Sequence, residues 1–396
     1  MLQVLINHND TLRKLQAEKF VMEVCDGWLI IHHIPYINSN NECKDGTLLM
    51  PLTISGTTIL KPRDHTAYWI GEWPCDVTAH KLPSLVNSEQ KRTIVSNYRS
   101  DYYFSCHADC NIYPPNGDYP DFYEKVHTYF DMISAPAFQL DTQAWTKINK
   151  PIIYKDESSP LLFMDTNASR ANISMLSEKY KGLKIAIIGL GGTGSYILDM
   201  VAKTPVAEIH LYDRDVFNDH NAYRAPGSPT VLQLTEALLK VDYFGDIYSR
   251  MHSGIVKHAS MITESNITEL GVMDYVFISI DKVAPKQIIA NYLLDKHIPF
   301  IESGMGIFLQ QNKKLSGLIH IAIGTHDKYE HLDRAFGNPD ADQDMYTSDI
   351  QIAELNSFAA CESVIRWKKL IGFYEDSENE YMSLYSINDN DIENEN

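Results

Sequence analysis

Apolar and polar residues along the middle of the chain follow patterns that predict three consecutive elements. Residues 185–188 are an apolar run with the length and composition of a buried parallel strand. Residues 195–203 place apolar side chains on one face of a helix, which Pro205 ends. Residues 208–212 alternate into a second strand. The order strand, helix, strand predicts a βαβ unit on a parallel sheet.

The patterns continue downstream and predict an α/β domain with a doubly wound, Rossmann-like sheet. Further strands are expected at residues 258–261, 275–280 and 315–323, and helices at 241–251, 286–296 and 350–370. Residues 326–346 are acidic and contain Gly and Pro, which predicts a mobile loop. From residue 375 onward acids and Asn dominate, so residues 375–396 are predicted to be an acidic, largely flexible tail.

The first 150 residues predict a separate, smaller α+β domain. Helices are expected at 11–23 and 121–132, and extended segments at 28–31, 47–55 and 68–75. A polar stretch at 150–159, with Pro151 and Pro160, predicts the linker. The predicted domains are therefore residues 1–150, residues 160–374 and the tail.

A glycine motif lies between the first strand and helix of the βαβ unit. Gly189, Gly191 and Gly194 have the GxGxxG spacing, and Gly192 adds a fourth glycine. Glycines let the backbone approach a phosphate, and the helix N-terminus offers unpaired N–H groups to hold it. Asp213 ends the second strand about 20 residues later, where an acid receives ribose hydroxyls. The stretch therefore predicts a bound nucleotide.

A second pattern follows the strand and makes the prediction more specific. Asp213, Asp215, Asn221 and Arg224 form D-x-D-x(5)-N-x-x-R. This pattern resembles the ThiF/MoeB and ubiquitin-activating enzyme family, whose members adenylate the C-terminal glycine of a ubiquitin-like protein. The resemblance covers roughly residues 164–373. It implies that Asp213 and Asp215 contact the nucleotide and that Asn221 positions a phosphate or the attacking carboxylate.

Residues farther along match the same family. Lys240 lies where the family has a phosphate-contacting lysine, and Asp281 where it has a magnesium-coordinating aspartate. Residues 302–306 are similar to the strand-end loop that guides the substrate's tail. Arg170 resembles the arginine that family dimers insert into the neighbour's ATP site, although the segment between it and the first strand is shorter here.

The resemblance implies an ATP- and Mg²⁺-dependent adenylyltransferase acting on a bacterial ubiquitin-like protein with a C-terminal glycine. Such an enzyme passes its substrate to a conjugating enzyme and is a homodimer. Arg224 and Lys240 would carry positive charge to the phosphates, and Asp281 would hold the metal. A C-terminal carboxylate is already ionised at pH 7, so the reaction needs no general base.

The N-terminal region resembles the uncharacterised domain that precedes the adenylating domain in some bacterial ubiquitin-like conjugation operons. The segments HHIPYIN, GTLLMPLT and ISAPA carry this resemblance. The extended stretch that ends in Trp-Pro-Cys is also similar to a degenerate ubiquitin-conjugating-enzyme fold. The domain is expected to recruit the ubiquitin-like protein or the conjugating enzyme, or to serve as a scaffold that supports a dimer.

The cysteines leave open whether the adenylate is followed by a thioester. Cys75, in the Trp-Pro-Cys loop, is the candidate thioester cysteine, because loops often carry chemistry. Cys361 falls in the apolar periodicity of the last helix, which favours a buried, inert thiol. Cys106, His107 and Cys110 lack the paired CxxC motifs of structural zinc sites, so no structural zinc is expected.

Composition excludes several classes of partner. The chain is 44% hydrophobic and 22% charged, with a net charge of −18, which argues against nucleic acid or an anionic membrane as a main partner. No apolar run has the length of a membrane span and the N-terminus lacks a signal-peptide pattern, so a cytoplasmic protein is predicted. The six cysteines have no regular spacing that would indicate a disulfide framework.

Other functions remain open at this point. An NAD(P)-dependent oxidoreductase shares the βαβ unit, but it leaves Asn221, Arg224, Lys240 and Asp281 without roles. A catalytically silent family member would serve as a binding scaffold. Two variants stay within the enzyme class. In one, the carboxylate that is adenylated is that of a small peptide; in the other, the adenylated product is used for sulfur transfer. At single positions, Asp281 is also a possible helix cap, and Asp215 a possible turn residue.

Overall fold

The chain divides into two compact units, each with a hydrophobic core of its own. The first unit consists of Met1–Asp156 and Phe163–Met175, and the second of Glu157–Leu162 and Leu176–Asn396. The computed structural model describes residues 5–6, 8–82, 84–95, 98–107, 118–144, 159–163, 165, 167–168, 173–336 and 350–395. The predicted fold class, an α/β Rossmann-like domain preceded by a smaller domain of strands and helices, is confirmed.

The first unit contains an antiparallel sheet, and two helices with defined bounds are described in it. The helices are α1 (Asp10–Ala17) and α2 (Phe122–Leu140). The strands are β1 (Val21–Cys25), β2 (Trp28–Ile37), β3 (Cys43–Pro51), β4 (Ile54–Ser55), β5 (Thr58–Ile59), β6 (Thr66–Ile70), β7 (Val86–Glu89), β8 (Thr93–Val95), β9 (Tyr98–Arg99) and β10 (Tyr102–Ser105). Six of them form one sheet in the order β1-β2-β3-β6-β10-β7, and β4-β5 and β8-β9 are separate pairs.

The core of the first unit lies between one face of the sheet and the two helices. Leu12 and Leu15 of α1 and Val126 and Tyr129 of α2 are buried in the same cluster as Trp69 of β6. Burying one face of each helix on the sheet is how a two-layer domain removes its apolar surface from water.

Two predicted boundaries in this unit were wrong. The first helix ends at Ala17, and residues 21–25 form a strand that pairs with β2 through a tight turn at Asp26 and Gly27, both with positive φ. An Asp-Gly turn of this kind is a strong hairpin signal that the sequence already contained. Helix α2 also continues through Pro136, because the buried Ile133 and Ala137 on either side hold it against the core.

The second unit alternates strands and helices around one large sheet. Its strands are β11 (Lys184–Ile188), β12 (Glu208–Tyr212), β13 (Ile255–His258), β14 (Tyr275–Ile278), β15 (Phe300–Leu309), β16 (Leu315–Gly324), β17 (Met382–Ser386) and β18 (Asp391–Glu395). Its helices are α3 (Gly192–Val201), α4 (Asp219–Ala222), α5 (Val231–Thr235), α6 (Lys240–Tyr248), α7 (Val283–Asp295), α8 (Leu332–Phe336) and α9 (Ala353–Leu370), with 3-10 turns at Ser174–Tyr180 and Ile267–Val272.

The sheet has the order β13-β12-β11-β14-β15-β16-β17-β18. Strands β13 to β15 are parallel, and β15 to β18 are antiparallel. Along β11, Ile185 and Ile187 face the core formed with α3, α6 and α9, whereas Ala186 and Ile188 face the core formed with α7. Both faces are therefore covered, as the continuous apolar run of β11 predicted. The chain reverses its strand order at β11, where such sheets bind ligands beyond the carboxyl ends of the strands.

The expected flexible tail is folded over most of its length, so that prediction was wrong. Strands β17 and β18 form a hairpin that extends the sheet from β16. Arg366 of α9 is buried and donates a hydrogen bond to the Glu380 carbonyl, 3.0 Å away. The strand was missed because β18 is an edge strand. Charged side chains are common on edge strands, and here they hide the alternation of apolar and polar residues.

Two smaller predictions in this unit also need correction. The strand expected at 258–261 is β13, which ends at His258. Part of the expected loop at 326–346 is helix α8, with Leu332 and Phe336 buried against the sheet. Residues 337–346 of that expected loop lie outside the described residues.

The folded C-terminal hairpin gives a direct stability prediction. Met382 of β17 is buried and Ile392 of β18 is exposed. Replacing Met382 with alanine is expected to lower the free energy of unfolding by about 2–4 kcal/mol, whereas the same change at Ile392 should cost less than about 0.5 kcal/mol. Urea denaturation of the two variants checks this. Equal, negligible effects would mean that residues 382–395 are a tail after all.

None of the described helices combines the length and the apolar character that crossing a bilayer requires.

Candidate nucleotide-binding site

The glycine loop joins β11 to α3 in a very close turn. Gly189 has φ +88°, and a Cβ atom there would lie 2.4 Å from the carbonyl oxygen of Ser279. A Cβ atom on Gly194 would lie 1.8 Å from the carbonyl oxygen of Gly189. The glycines therefore let the loop, the helix and the end of β14 approach closely. The N-terminus of α3, with its unpaired N–H groups, is left facing the end of the sheet.

Asp213 fixes this loop to the end of β12. Its carboxylate accepts hydrogen bonds from the Leu190 N–H at 2.7 Å and from the Asp215 N–H at 2.8 Å. The Lys240 ammonium lies 3.0 Å from the Asp215 carboxylate and 3.6 Å from that of Asp213. Lys240 and Asp213 are buried, so their contact is little screened by water, whereas the Asp215 side chain is exposed.

These residues surround a cavity of about 280 Å³ at the carboxyl ends of β11, β12 and β14, beside residues 303–305 of β15. Its charged lining consists of three acids and three bases: Asp213, Asp215, Asp281, Arg224, Lys240 and Lys282. The rest of its wall includes Gly189, Gly191, Gly192, Thr193, Ser279, Ser303, Gly304, Met305 and Gln351. A glycine loop beside both cations and carboxylates suits an anionic ligand that carries a divalent cation.

Arg224 lines the cavity, and its backbone is held by a hydrogen bond from α9. Its carbonyl oxygen accepts a hydrogen bond from the Asn356 side-chain amide at 3.2 Å. Its Nε is buried and has no hydrogen-bond partner among the described residues. Because a buried charged donor is costly without a partner, the guanidinium is suited to an anion that enters the cavity.

A smaller apolar lobe, of about 190 Å³, adjoins the cavity and shares part of its wall. The apolar side chains that line this apolar lobe are Ile188, Tyr212, Met261, Ile262, Ile280, Pro285 and Ile289. Asp213 and Asp215 line both spaces. A ligand with a planar apolar group in the lobe would therefore pass Asp213 and Asp215 and extend into the charged cavity.

The segment that we expected to be a strand-end loop, residues 302–306, is part of strand β15. Its first residue, Glu302, is completely buried between Lys286 of α7 at 2.5 Å and His320 of β16 at 2.9 Å. Burial alone would raise the pKa of the Glu302 carboxyl, but His320 and Lys286 lower that pKa to about 2. This ion cluster joins three elements directly behind the cavity wall.

The Glu302 cluster is expected to contribute strongly to stability. Replacing Glu302 with glutamine leaves Lys286 and His320 without their counter-charge and should lower the free energy of unfolding by about 3–5 kcal/mol at pH 7. Because the folded-state pKa lies below the unfolded value, the charged carboxylate stabilises the fold above about pH 4.5 and this contribution disappears as the pH falls towards 2. The difference between wild type and variant should therefore shrink in acid.

Urea denaturation at several pH values measures this difference. Glu264→Gln is the matched control, because Glu264 is exposed and should behave like wild type. A difference between wild type and Glu302→Gln that stays constant from pH 7 to pH 3 would contradict a charged Glu302.

Most of the predicted site residues meet in one place. Gly189, Gly191, Gly192, Asp213, Asp215, Arg224, Lys240 and Asp281 all line the cavity. Gly194 does not line it, and its close approach to Gly189 indicates a packing role. Arg170 lies outside the described residues.

Asn221 lies away from the cavity lining. It is buried, and its side-chain oxygen accepts the Asn218 N–H at 2.9 Å, which caps helix α4. In this structure its side chain therefore shapes the turn that delivers Arg224. A direct contact with the substrate stays a prediction from the resemblance.

Asn356 is the most informative residue that the sequence did not reveal. It is completely buried in α9, accepts a hydrogen bond from the Thr193 hydroxyl at 3.1 Å and donates one to Arg224. A Cβ atom on Gly192 would lie 2.0 Å from its amide nitrogen, so any larger residue there would force the Asn356 side chain to shift. The sequence does contain one indication of its importance, which is an asparagine within the apolar face of a helix.

The structure places Cys75 in the interior of the first unit. The Cys75 thiol is buried and donates to the Trp73 carbonyl at 3.4 Å. Burial raises the pKa of the Cys75 thiol, with Asp76 adding to the effect. A thioester-forming cysteine needs an accessible thiolate, so this setting disfavours the role. Cys361 is half-buried in α9.

Metal-binding clusters are not evident in the parts of the chain that the structure describes. No group of three or more His, Cys, Asp or Glu side chains has the arrangement of a metal site there. Cys110 lies outside the described residues. The acids of the cavity, Asp281 in particular, nevertheless offer the oxygen ligands that Mg²⁺ prefers when phosphates complete its shell.

Together, the doubly wound sheet, the glycine loop and the charged cavity define a nucleotide-binding α/β domain. Residues 168–312 match the ThiF family, and the chain therefore carries a ThiF-family domain, which confirms the resemblance inferred from the motifs. Residues 10–166 match a domain of unknown function, DUF6791.

Sequence and structure comparisons add only remote relatives. No curated protein matches the sequence. Among solved structures, PaaA is 19% identical with a TM-score of 0.45, over 68% of this chain and 85% of PaaA. Escherichia coli MccB in complex with ATP is 17% identical with a TM-score of 0.45, over 59% of this chain and 72% of MccB. The family assignment rests on the ThiF match.

Proposed function

We propose that this protein is an ATP- and Mg²⁺-dependent adenylyltransferase that activates the C-terminal carboxylate of a ubiquitin-like protein. The observation that carries the proposal is the convergence of a glycine loop, three cations and three carboxylates on one cavity within a ThiF-family domain.

The two spaces of the site suit the parts of ATP. The apolar lobe offers Tyr212, Ile262 and Pro285 to a flat, apolar base. Asp213 stands between the lobe and the cavity, where a carboxylate can accept the ribose hydroxyls. The glycine loop and the N-terminus of α3 then face the phosphates with backbone N–H groups.

The charged residues suit transfer of the adenylyl group. The substrate's carboxylate oxygen would attack the α-phosphorus, a new P–O bond would form, and the bond to the β-phosphate would break to release pyrophosphate. Arg224 and Lys240 place positive charge where negative charge develops. Lys240 would exchange its aspartate partners for phosphate oxygens. Asp281 would hold Mg²⁺, which neutralises triphosphate charge.

The wider role follows from the resemblance. We propose that the activated ubiquitin-like protein passes to a conjugating enzyme, and that the DUF6791 domain recruits one of these two partners. We also propose a homodimer, with Arg170 acting across the interface. No thioester on Cys75 is part of the proposal, because that thiol is buried.

Pyrophosphate exchange tests the proposed reaction. Labelled pyrophosphate should enter ATP when the protein is mixed with ATP, Mg²⁺ and a panel of ubiquitin-fold proteins that end in glycine. The same proteins lacking their last residues should give none. Exchange with no member of the panel, by a protein that binds ATP, would contradict a ubiquitin-like substrate. Binding of NAD or NADP instead of ATP would favour the oxidoreductase.

A further inference from the structure

The charged cavity and the apolar lobe meet along a set of residues that line both spaces, which we call the shared wall. The shared wall includes Gly189, Asp213, Asp215 and Lys282. Among the cations that the structure describes around these spaces, Arg224 and Lys240 line only the cavity, and Arg214 lines only the lobe. Lys282 is therefore the cation at the junction of the two spaces.

The strand order places Lys282 across the glycine loop from Asp213. Strand β11 lies between β12 and β14 in the sheet. Asp213 directly follows β12, the glycine loop follows β11, and Lys282 lies in the turn between β14 and α7. A ligand that passes from the lobe into the cavity therefore has a carboxylate on one side of the loop and an ammonium group on the other.

The backbone of Lys282 is anchored, whereas its side chain is available to a ligand. Lys282 is the N-cap of α7, and its carbonyl oxygen accepts the Lys286 N–H at 3.3 Å. The next residue, Val283, is buried. The Lys282 side chain is exposed, and none of the described residues forms an ion pair or a side-chain hydrogen bond with it. Unlike Lys240, it can therefore bind an anion without leaving an aspartate partner.

The order of groups in ATP indicates which phosphate comes nearest to Lys282. The α-phosphate joins the ribose to the β-phosphate. With the base in the lobe and the ribose at Asp213, the α-phosphate is the first phosphate beyond the shared wall. The carboxylates of Asp213 and Asp215 would repel it, so its binding needs a positive charge close by. Arg224 and Lys240 line the cavity beyond the shared wall, where the β- and γ-phosphates would lie.

From this arrangement we infer that Lys282 contacts the α-phosphate of bound ATP and stabilises the charge that develops there during adenylyl transfer. The inference rests on the proposed function and adds a catalytic residue to it. As the carboxylate oxygen bonds to the α-phosphorus, the bond from phosphorus to the bridging oxygen breaks, and its electron pair leaves with pyrophosphate. An ammonium group beside the non-bridging α-oxygens lowers the barrier to this step. Arg224 and Lys240 then stabilise the departing pyrophosphate.

A series of nucleotides that differ only in their phosphates tests the contact without a carboxylate substrate. Adenosine, AMP, ADP and ATP compete with radiolabelled ATP in equilibrium dialysis at a fixed Mg²⁺ concentration. Lys282→Gln should weaken the binding of AMP, ADP and ATP by the same factor, about tenfold, and leave adenosine unchanged. Lys282→Arg keeps the positive charge and should retain most of the affinity.

The pattern across the series decides the outcome. A loss confined to ADP and ATP would place Lys282 at the β-phosphate, and an equal loss for adenosine would place it at the base. Either result would overturn the inference, as would equal affinities of the wild type for adenosine and AMP. The control is Lys314→Gln, because Lys314 is exposed and lies outside both linings, so its affinities should match those of the wild type.

Arg224→Ala supplies a second comparison. The Arg224 side chain lines only the cavity, so its removal should weaken ADP and ATP but change AMP little. The same pattern of losses in Arg224→Ala and Lys282→Gln would contradict separate positions for the two cations along the phosphates.

The rate of pyrophosphate exchange separates a catalytic contact from a binding contact. At saturating ATP, with a carboxylate substrate that supports exchange in the wild type, Lys282→Gln should remain about tenfold slower, because saturation compensates only for weaker binding. A wild-type rate at saturation would overturn the catalytic part of the inference. Failure of the wild type to bind ATP would remove the proposed function itself, whereas ATP binding that is equally strong in wild type and Lys282→Gln would remove only the role of Lys282.

Discussion

Replacing Arg224 with alanine is expected to lower the rate of pyrophosphate exchange by about 100- to 1,000-fold, the usual cost of removing one preorganised group that stabilises transition-state charge. The Arg224 side chain lines the cavity, and its Nε has no hydrogen-bond partner in the described parts of the chain. The Arg224 carbonyl accepts a hydrogen bond from Asn356, which holds the backbone that carries the guanidinium. Exchange is measured with a substrate that supports it in the wild type.

The control for this experiment is Arg250→Ala. Arg250 is exposed in the same unit and lies outside the cavity lining, so its removal should leave exchange unchanged. Both variants should melt within a few degrees of the wild type, because neither side chain fills the core. Exchange by a folded Arg224→Ala protein at the wild-type rate would argue against the proposed site.

Replacing Asp281 with asparagine should have an effect of similar size through the metal. Asparagine keeps the shape of the side chain but removes the charge that a hard cation such as Mg²⁺ prefers. We expect exchange to fall by about 100-fold or more, and the Mg²⁺ concentration needed for half-maximal exchange to rise. A Mg²⁺ titration of wild type and variant at fixed ATP measures both quantities.

Asp327→Asn is the matched control for Asp281→Asn. Asp327 is exposed and is not part of the cavity lining, so its Mg²⁺ titration should match that of the wild type. The N-cap of α7 is Lys282, so the structure does not place Asp281 as the helix cap. If Asp281 serves only the turn before α7, its variant will lose stability but show an unchanged Mg²⁺ requirement. That result would remove Asp281 from the proposed metal site.

Most of the residues predicted for the nucleotide site line one cavity, because they lie at the ends of regular elements. An apolar run followed at once by glycines leaves little choice but a buried strand that turns into a helix. Asp213, Lys240 and Asp281 each stand at such a boundary, and the parallel arrangement of β11, β12 and β14 brings them to one edge of the sheet. Their roles in catalysis stay predictions until the variants are measured.

What the sequence did not predict depends on contacts between distant segments. Asn356 is 132 residues from Arg224, and nothing in the sequence indicates that they share a hydrogen bond. Residues 302–306 were predicted to be a strand-end loop from the family resemblance, but pairing with β16 keeps them extended. The acidic C-terminus was likewise misread, since strand β18 is stabilised by its neighbour rather than by its own composition.

The most direct test of the central claim is thermal unfolding of the purified protein with ATP and Mg²⁺, compared with NAD and with NADP. A ligand that binds only the native state stabilises it by about 2.7 kcal/mol at 100 times its dissociation constant. We predict a clear rise in melting temperature with ATP and Mg²⁺, reduced in Asp281→Asn and absent with NAD or NADP. A rise with NAD or NADP alone would contradict the adenylyltransferase and identify the cavity as a dinucleotide site.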